Sequence, residues 1–305
     1  MVKKKKPVET VSKVEAELTW QPHKTFELEI TIPWPKVKKA YDQVLEATSK
    51  TISIKGFRQG KAPMKMVEEQ VGKQALYEKV VQKAVVAQYV EALKTHQLRP
   101  IINPKISVVK LKEGEDWLVK AAACERPEIK LGQWKEAVRG AKTQAKIWTP
   151  KSSEPALKPE KKPEASPGAD QQKLSKIFEA LLKEAQVELS PLLVEEETNR
   201  ILSSIIDQIN KLGMTVDQYL NSKKITSGQL RSQQRQQAEQ TLKLEFILAE
   251  IAEEMKLAAD QKEVDQAIEA VKDEKDREKL KSPEQKAYIA SVLRKRKTID
   301  YLLGL

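Results

Sequence analysis

The sequence predicts a multidomain protein with an α+β domain at the N-terminus and an all-α domain at the C-terminus. Segments in which apolar and polar residues alternate, as in half-buried strands, occur only before residue 136. After residue 171 the apolar residues instead recur at the spacing of a helix. A proline-rich stretch separates the two patterns, and a chain of 305 residues is long enough for about two domains.

The N-terminal domain, residues 1–135, is predicted to follow the order β-β-α-loop-α-α-β-β. In "TFELEITI" an apolar residue occupies every second position from Phe26 to Ile32, which indicates a strand with one buried face. The period changes to that of a helix in "PKVKKAYDQVLEAT". The predicted elements are strands at 14–20 and 25–32, helices at 35–48, 63–71 and 74–96, and strands at 105–111 and 116–125.

Residues 136–171 are predicted to be a linker rich in Pro, Lys and Glu. Within them, residues 149–170 contain five prolines and almost no large apolar side chain. Because such a segment cannot build a core of its own, we expect it to be extended and semi-rigid.

Helices are predicted throughout residues 172–305. Ser190 and Pro191 are typical of a helix start, and Gly213 of a helix end. Asp260 and Glu263 have the spacing of a capping box. Further helices are expected over 173–187 and 227–256, and from Ser282 to the C-terminus.

The positive charge lies in the front part of the chain. The formal net charge is +11, and residues 1–170 hold 33 of the 55 Lys and Arg but only 21 of the 44 Asp and Glu. A basic front part is typical of a surface that binds polyanions, although an excess that merely aids solubility is nearly as common.

Several classes of protein are disfavoured by what the sequence contains. The one cysteine, Cys124, cannot form an internal disulfide and is expected in the core. His23 and His96 are too few for a metal cluster, and no cofactor motif occurs. We found no G-x-S-x-G, H-E-x-x-H or phosphate-binding loop, so no catalytic residue is predicted. Without a signal peptide or an apolar span, we expect a cytoplasmic protein that does not bind membranes.

The loop "SIKGFRQGKAPM", residues 53–64, has the composition of a docking site. Gly56 and Gly60 permit tight backbone at its shoulders, which would push out the tip formed by Phe57, Arg58 and Gln59. Three cations, Lys55, Arg58 and Lys61, would then surround one aromatic ring. The alternative is a structural loop in which Phe57 folds back into the local core.

"GFRQGKAP" resembles the G-F-R-x-G-K-x-P signature of the trigger factor family, bacterial chaperones that dock at the ribosomal tunnel exit. "AQVELSPLLVEEE", "KLAADQKEVDQAIEAV" and "AYIASVLRKRKTIDYLLGL" resemble parts of the helical C-terminal domain of that family. The resemblance implies that residues 1–135 are the ribosome-binding, or tail, domain and that residues 172–305 are a chaperone domain with protruding helical arms. It implies contacts with a large-subunit protein and with ribosomal RNA for Lys55, Gly56, Phe57, Arg58, Gln59, Gly60, Lys61 and Pro63. Gln59 replaces a basic residue or proline that is common in the family, which predicts weaker docking.

The chain departs from the family pattern in the interval 136–171. Typical members carry a peptidyl-prolyl isomerase domain of the FKBP type here, whereas this interval is short and lacks an aromatic-lined pocket. Trp134 and Trp148 are the aromatic residues nearby. We therefore predict that isomerase activity is absent and that the protein is not an enzyme.

A chaperone that shields unfolded nascent polypeptides needs accessible apolar surface and no catalytic residue. The candidates lie at helix ends or connections: Met214, Val216, Tyr219, Met255, Leu257, Tyr301, Leu302 and Leu303. Ordinary packing between helices is the alternative for each. The resemblance also implies a possible homodimer when the protein is free.

Two other functions remain open from the sequence. The basic front part would also suit an assembly or translation factor that binds ribosomal RNA without handling polypeptides. A peptidyl-prolyl isomerase would require an unrecognised active fold in the linker.

Overall fold

The computed structural model describes residues 15–58, 60–147, 167–271 and 273–305. The chain divides into two compact units, Met1–Arg126 and Pro127–Leu305. The first unit combines a sheet with helices, and the second is almost entirely helical. This confirms the predicted fold class.

The sheet of the first unit has one buried face and one solvated face. Its strands are β1 (Glu15–Gln21), β2 (Thr25–Ile32), β3 (Lys105–Lys110) and β4 (Trp117–Cys124). They pair antiparallel in the order β1-β2-β4-β3. Alternate residues of β2 and β4 are buried, as the period-2 pattern predicted. On the solvated face, Lys120 of β4 lies 2.9 Å from Glu27 and 3.2 Å from Glu29 of β2.

Three helices cover the buried face of this sheet. They are α1 (Trp34–Thr51), α2 (Met64–Val71) and α3 (Lys73–His96). Val37, Val67 and Leu76, one from each helix, are fully buried in the same core as the strands. The element order predicted for this part of the chain is therefore confirmed, with ends that differ by a few residues.

The second unit consists of helices and a two-stranded ribbon. Its helices are α4 (Trp134–Ile147), α5 (Pro167–Glu184), α6 (Pro191–Lys211), α7 (Val216–Lys223), α8 (Ser227–Glu254), α9 (Gln261–Glu269), α10 (Glu274–Leu280) and α11 (Pro283–Gly304). The ribbon pairs β5 (Ile129–Lys130) with β6 (Gln186–Val187). Its core contains Trp134, Val138, Ile177, Leu181, Val187, Ile247, Leu248, Ile251 and Leu302.

Local hydrogen bonds define where the helices of the second unit begin. The Ser190 hydroxyl accepts from the N–H of Leu192, with Pro191 at the first position of α6, as predicted. Asp260 and Glu263 form the predicted capping box of α9. Two further capping boxes, which the sequence analysis missed, begin α7 at Thr215 and α8 at Thr226.

The structure corrects the predicted linker at both of its ends. Residues 134–147 form α4, whose Trp134, Val138 and Ala141 are buried. All three residues recur at helical spacing, and Trp134 and Val138 pack into the core of the second unit, so this segment is not an extended connection. Helix α5 begins at Pro167, inside the same interval. Residues 148–166, with most of the predicted prolines and Trp148, lie outside the described residues.

Candidate functional site

The loop between α1 and α2 is built from two successive four-residue turns. The Phe57 N–H donates to the Ile54 carbonyl at 3.0 Å, and the Lys61 N–H donates to the Arg58 carbonyl at 2.9 Å. The third residue of each turn is a glycine with positive φ, 91° at Gly56 and 80° at Gly60. Residues with a side chain rarely adopt positive φ, which explains why glycine occupies both positions.

The two turns set the exposure of the residues between them. Ile54, at the start of the first turn, is buried and anchors the loop to the core of the first unit. Phe57, at the end of that turn, is 40% exposed. The alternative in which Phe57 folds back into the local core is therefore not what the structure adopts. Sequence reasoning missed Ile54, although an apolar residue before the first glycine was its signal.

Three exposed cations lie close in sequence to this exposed ring. Lys55, Arg58 and Lys61 are all exposed. Within the described residues, none of the three forms a salt bridge, so each retains its hydrogen-bonding capacity for a partner. Gln59 lies outside the described residues.

Two methionines extend the apolar surface beside the loop. Pro63 directly precedes α2, and its carbonyl accepts from the N–H groups of Met66 and Val67. Val67 is fully buried, whereas Met64 is 44% exposed. Met66, which the sequence analysis did not single out, is 39% exposed.

A cluster of aromatic residues fixes α2 at the end of the loop. The Tyr41 hydroxyl of α1 donates to the Glu68 carboxylate of α2 at 2.8 Å. Burial, together with this hydrogen bond, raises the pKa of Tyr41 well above its usual value. The ring of Tyr41 lies 5.2 Å from that of Tyr77, which lies 5.8 Å from that of Trp117. Helix α2, which follows the loop, is therefore linked through Glu68 and these aromatic rings to α1, α3 and β4.

The apolar residues predicted to bind clients differ in exposure. Val216 is 37% exposed, whereas Met214, Tyr219, Met255, Leu257, Tyr301 and Leu303 are half-buried. Leu302 is completely buried in the core of the second unit, which corrects its place in this set. Because α11 turns one face toward the core, Leu302 and Thr298, four residues apart, point inward together.

The structure adds apolar surface that sequence reasoning missed. Leu212, the C-cap residue directly after α6, is 74% exposed and lies close in sequence to Met214 and Val216. On α11, Tyr288 and Val292 are 65% and 47% exposed. Their spacing of four residues was the available signal, since such residues share one helix face.

An open groove of about 670 Å3 lies between the end of α8 and α11. Its lining is mostly small and apolar, with Leu257 and five alanines. Arg294 donates to the carbonyl of Leu257 at 3.0 Å, and Lys297 to that of Ala258 at 2.9 Å. These bonds hold the connection between α8 and α9 against α11.

The described parts of the chain give no sign of a metal centre or a membrane span. They contain no group of His, Cys, Asp and Glu able to hold a metal ion. No helix in those parts has an apolar stretch that could cross a membrane.

Two family models together match almost the whole chain. "Bacterial trigger factor protein (TF)" matches residues 13–155, and "Bacterial trigger factor protein (TF) C-terminus" matches residues 157–304. Among curated relatives, the trigger factor of Moorella thermoacetica is 37% identical over 107 residues, which are 35% of this chain and 24% of that relative. The trigger factor of Staphylococcus epidermidis is 34% identical over 119 residues, or 38% of this chain and 28% of that relative.

A solved structure shares the fold over most of its length. It is described as "Promiscuous Substrate Recognition in Folding and Assembly Activities of the Trigger Factor Chaperone", and it aligns with a TM-score of 0.60 at 12% identity. The alignment covers 95% of this chain and 99% of that one. With both family models matched in order along the sequence, the chain belongs to the bacterial trigger factor family.

Proposed function

We propose that this protein is a ribosome-associated molecular chaperone, which docks near the polypeptide exit tunnel and shields apolar segments of nascent chains. The proposal that the protein docks at the ribosome rests on the structure of the loop of residues 53–64. It presents an exposed Phe57 among exposed cations that have no ion-pair partner within the described residues. Membership of the trigger factor family supports the same function.

The chemistry of the loop suits a surface made of RNA and protein. Arg58 can donate two parallel hydrogen bonds to phosphate or carboxylate oxygens, while Lys55 and Lys61 add attraction that depends little on geometry. Burial of the exposed ring of Phe57 in a protein groove would add apolar contact, worth at most about 1.5–3 kcal/mol for a complete burial. The proposed partners are accordingly a large-subunit ribosomal protein and ribosomal RNA.

Exposed apolar side chains of the second unit support the proposal that the protein shields apolar segments of nascent chains. Leu212, Val216, Tyr288 and Val292 are all exposed. Unfolded nascent polypeptides can cover such surface reversibly, and this activity needs no catalytic residue. We place the activity in the cytoplasm, where nascent chains emerge from ribosomes, and we propose a homodimer as the form of the protein that is free of ribosomes.

We further propose that the protein acts without peptidyl-prolyl isomerase activity. The N-terminal family match ends at residue 155 and the C-terminal match begins at residue 157. This continuity supports a chain in which the two chaperone parts follow one another directly. Turnover of a proline-containing test peptide by the intact chain would contradict the proposal.

Co-sedimentation with ribosomes tests docking. The intact chain is compared with the Phe57→Ala, Arg58→Ala pair and with the control pair Lys83→Ala, Val86→Ala. The control removes one cation and one exposed apolar side chain from α3 of the same unit. We expect the loop pair to lose co-sedimentation and the control pair to retain it, with suppression of aggregation by free protein unchanged in both.

Two results would contradict this proposal. Equal co-sedimentation of the loop pair and the intact chain would make the loop structural. Binding to free ribosomal RNA that survives Phe57→Ala, without any suppression of aggregation, would favour the alternative of an RNA-binding assembly or translation factor.

A further inference from the structure

One face of α3 is apolar in its middle and basic at both ends. Lys79, Lys83, Val86, Val90 and Lys94 follow one another at spacings of three or four residues, so that they share a face of the helix. All five are exposed, and the exposed fractions of Val86 and Val90 are 55% and 43%. We call these five residues the α3 stripe.

The opposite face of α3 is buried in the core of the first unit. Leu76, Val80 and Val85 are all fully buried there. A helix that is apolar on two opposite faces is typical of a helix with neighbours on both sides. Within the described part of the first unit only one of these sides is covered, so the α3 stripe is an apolar helix face that has no neighbour there.

Two open grooves border the α3 stripe. The first, of about 610 Å3, lies between the second half of α1 and α3, and its lining includes Val44, Lys83 and Val86. The second, of about 410 Å3, lies beside the end of α3, and its lining includes Val90 and Lys94. Because Val86 and Val90 are one turn apart on the same face, the two grooves adjoin along the stripe.

The charged side chains that line these grooves are all cations. They are Lys79 and Lys83 in the first groove, and Lys94 and Arg99 in the second. Within the described residues, none of the four forms a salt bridge or a side-chain hydrogen bond. The backbone N–H of Arg99, not its guanidinium, donates to Glu125. A carboxylate placed at either end of the stripe would therefore meet cations that it need not take from another partner.

The spacing of these cations disfavours a nucleic acid as the partner. Lys83 and Lys94 lie about 16 Å apart along the helix, and Val86 and Val90 are the stripe residues between them. A nucleic acid strand carries a phosphate at every nucleotide, only a few ångströms apart. Phosphates over the two valines would lose water without meeting a cation, so an apolar segment with charge only at its ends fits this surface better.

A second copy of the same face is disfavoured by its charges in either orientation. Two α3 stripes that pair antiparallel bring Lys79 and Lys83 of one copy toward Lys94 of the other, and two that pair parallel bring like ends together. Both arrangements place cations against cations, with no Asp or Glu in the lining of either groove. The surface that complements the stripe is therefore a different one, and it is acidic at both ends.

The backbone of the partner is expected to be helical. The surface beside the stripe is made by α1 and α3, which use most of their backbone N–H and C=O groups within their own helices. An extended segment laid on them would bury backbone groups without partners, whereas a helix satisfies its backbone internally. Side chains one turn apart on such a helix can also interlock with Val86 and Val90.

We propose that the α3 stripe binds an amphipathic helix of another protein, which is apolar in the middle of one face and carries Asp or Glu at both ends of it. The distance from Lys79 to Lys94 is about 22 Å along the helix, which a partner helix of about 15 residues spans. Its carboxylates pair with Lys79 and Lys83 at one end and with Lys94 and Arg99 at the other, while its apolar face covers the two valines. This interaction uses neither the loop of residues 53–64 nor the exposed residues of the second unit, so it goes beyond the proposed chaperone function.

Fluorescence anisotropy of a labelled peptide, titrated with the intact chain, tests the proposal. The probe is a helix-forming peptide of about 18 residues built from alanine and glutamine, with leucines along the middle of one face and two glutamates at each end. Two further peptides have the same length. One has the same composition with its leucines dispersed around the helix, and the other has lysines in place of the glutamates. Each should bind at least tenfold more weakly than the probe, because the first lacks an apolar face and the second is repelled by the cations.

Matched valine variants separate the α3 stripe from other apolar surface. Val86→Thr with Val90→Thr should weaken binding of the probe about tenfold, since a hydroxyl replaces one methyl group of each valine at the centre of the contact. Val108→Thr with Val109→Thr makes the same chemical change on exposed residues of β3 and should leave the affinity unchanged. Because all four valines are exposed, we expect the unfolding midpoint to change little in both variants.

Charge reversal tests the two ends of the stripe. Lys83→Glu with Lys94→Glu should weaken binding of the probe about tenfold and strengthen binding of the lysine-ended peptide. Lys38→Glu with Lys39→Glu changes the net charge by the same amount on exposed residues of α1 that line neither groove. At physiological ionic strength this control should have a much smaller effect on both peptides, because distant exposed charges are screened.

Three results of the peptide titrations would overturn the proposal. They are equal affinity for the probe and for the peptide with dispersed leucines, an unchanged affinity after Val86→Thr with Val90→Thr, and an equal loss in the two charge-reversal variants. The first and third results would show attraction by net charge alone.

Two further results would overturn it by assigning the stripe to a different partner. Tighter binding of a single-stranded RNA than of the probe, lost after Lys83→Glu with Lys94→Glu, would assign it to RNA. Self-association of the free chain that Val86→Thr with Val90→Thr abolishes would assign it to a second copy. Each of these outcomes leaves ribosome docking and suppression of aggregation to be decided by their own tests.

Discussion

The hydroxyl of Tyr41 on α1 donates a 2.8 Å hydrogen bond to the carboxylate of Glu68 on α2. The loop of residues 53–64 leaves α1 and enters α2, so this one bond ties together the two helices from which the loop projects. The exposed Phe57 thus lies in a loop whose two flanking helices are joined to each other by a side-chain hydrogen bond.

Tyr41→Phe is expected to lower the free energy of unfolding of the first unit by about 0.5–1.5 kcal/mol, because it removes the hydrogen bond and leaves Glu68 with one partner fewer. Tyr89→Phe on α3 makes the same chemical change where the buried hydroxyl has no partner within the described residues. It should leave stability unchanged or raise it, since an unsatisfied buried group is removed. Urea denaturation of both variants measures the contrast, and an equal loss in the two would contradict it.

Gly56→Ala and Gly60→Ala should each cost about 1–2 kcal/mol or force the loop to rearrange, because alanine disfavours positive φ. A Cβ atom at either position meets no heavy atom within 4 Å, so the effect would come from the backbone alone. Ribosome co-sedimentation of the double variant is expected to fall.

Gly140→Ala is the control for this glycine prediction. Gly140 lies within α4, and a Cβ atom there also meets nothing within 4 Å. Because alanine favours helices, this variant should be more stable by about 1 kcal/mol. If Gly56→Ala and Gly60→Ala left ribosome binding as unchanged as Gly140→Ala does, the turn geometry would not be used for docking.

Stability of the second unit should depend on pH through Glu263. Its hydrogen bond from Lys297, at 2.6 Å, and a second from the backbone N–H of Asp260 lower the pKa of this carboxyl. A depressed pKa contributes stability above the unfolded value of about 4.3. That contribution is lost as the pH falls through the lower folded value. Glu263→Gln should therefore flatten the dependence of the unfolding midpoint on pH below about 4.3.

Gln at position 263 can still close the capping box with Asp260, so the variant changes the charge and not the helix start. Glu269→Gln on the same helix is the matched control, because Glu269 forms no salt bridge with a described residue. Denaturation midpoints across acidic pH measure both variants. An equal flattening by the control would exclude the Lys297 pair as the cause.

Leu212→Ser with Val216→Ser should reduce suppression of client aggregation by the free protein to roughly half, while the unfolding midpoint changes little because both residues are exposed. The pair removes apolar surface around the connection between α6 and α7. Light scattering of a denatured client diluted into each variant gives the measurement. Trp20→Ser, which alters the exposed Trp20 of the first unit, serves for comparison. Full activity of the Leu212 pair would place client binding elsewhere.

Much of the first unit could be predicted because its apolar residues recur at the regular spacing of a strand or of a helix. Alternation from Phe26 to Ile32 has few competing explanations, and the strand appears as predicted. The exposure of Phe57 could not be predicted from composition, because it depends on hydrogen bonds that close one turn before the ring and another after it. Two glycines allow such turns without requiring them.

The errors in the second unit have equally specific causes. Helix α4 was missed because the neighbouring prolines dominated the composition of the segment, although Trp134, Val138 and Ala141 have helical spacing. Leu302 was assigned to an accessible end because it lies near the C-terminus, whereas burial follows the face of α11 and not the distance from its end.

Helix α7 contains no buried residue and begins at the capping box of Thr215 and Gln218. At its other end, Lys224 adopts a left-handed conformation and its N–H bonds back to the last turn. The shape of α7 is therefore specified by about ten consecutive residues and needs little support from the core. A polypeptide that binds to α7 would displace no buried side chain of this helix. Binding and release would therefore each require little rearrangement of the second unit.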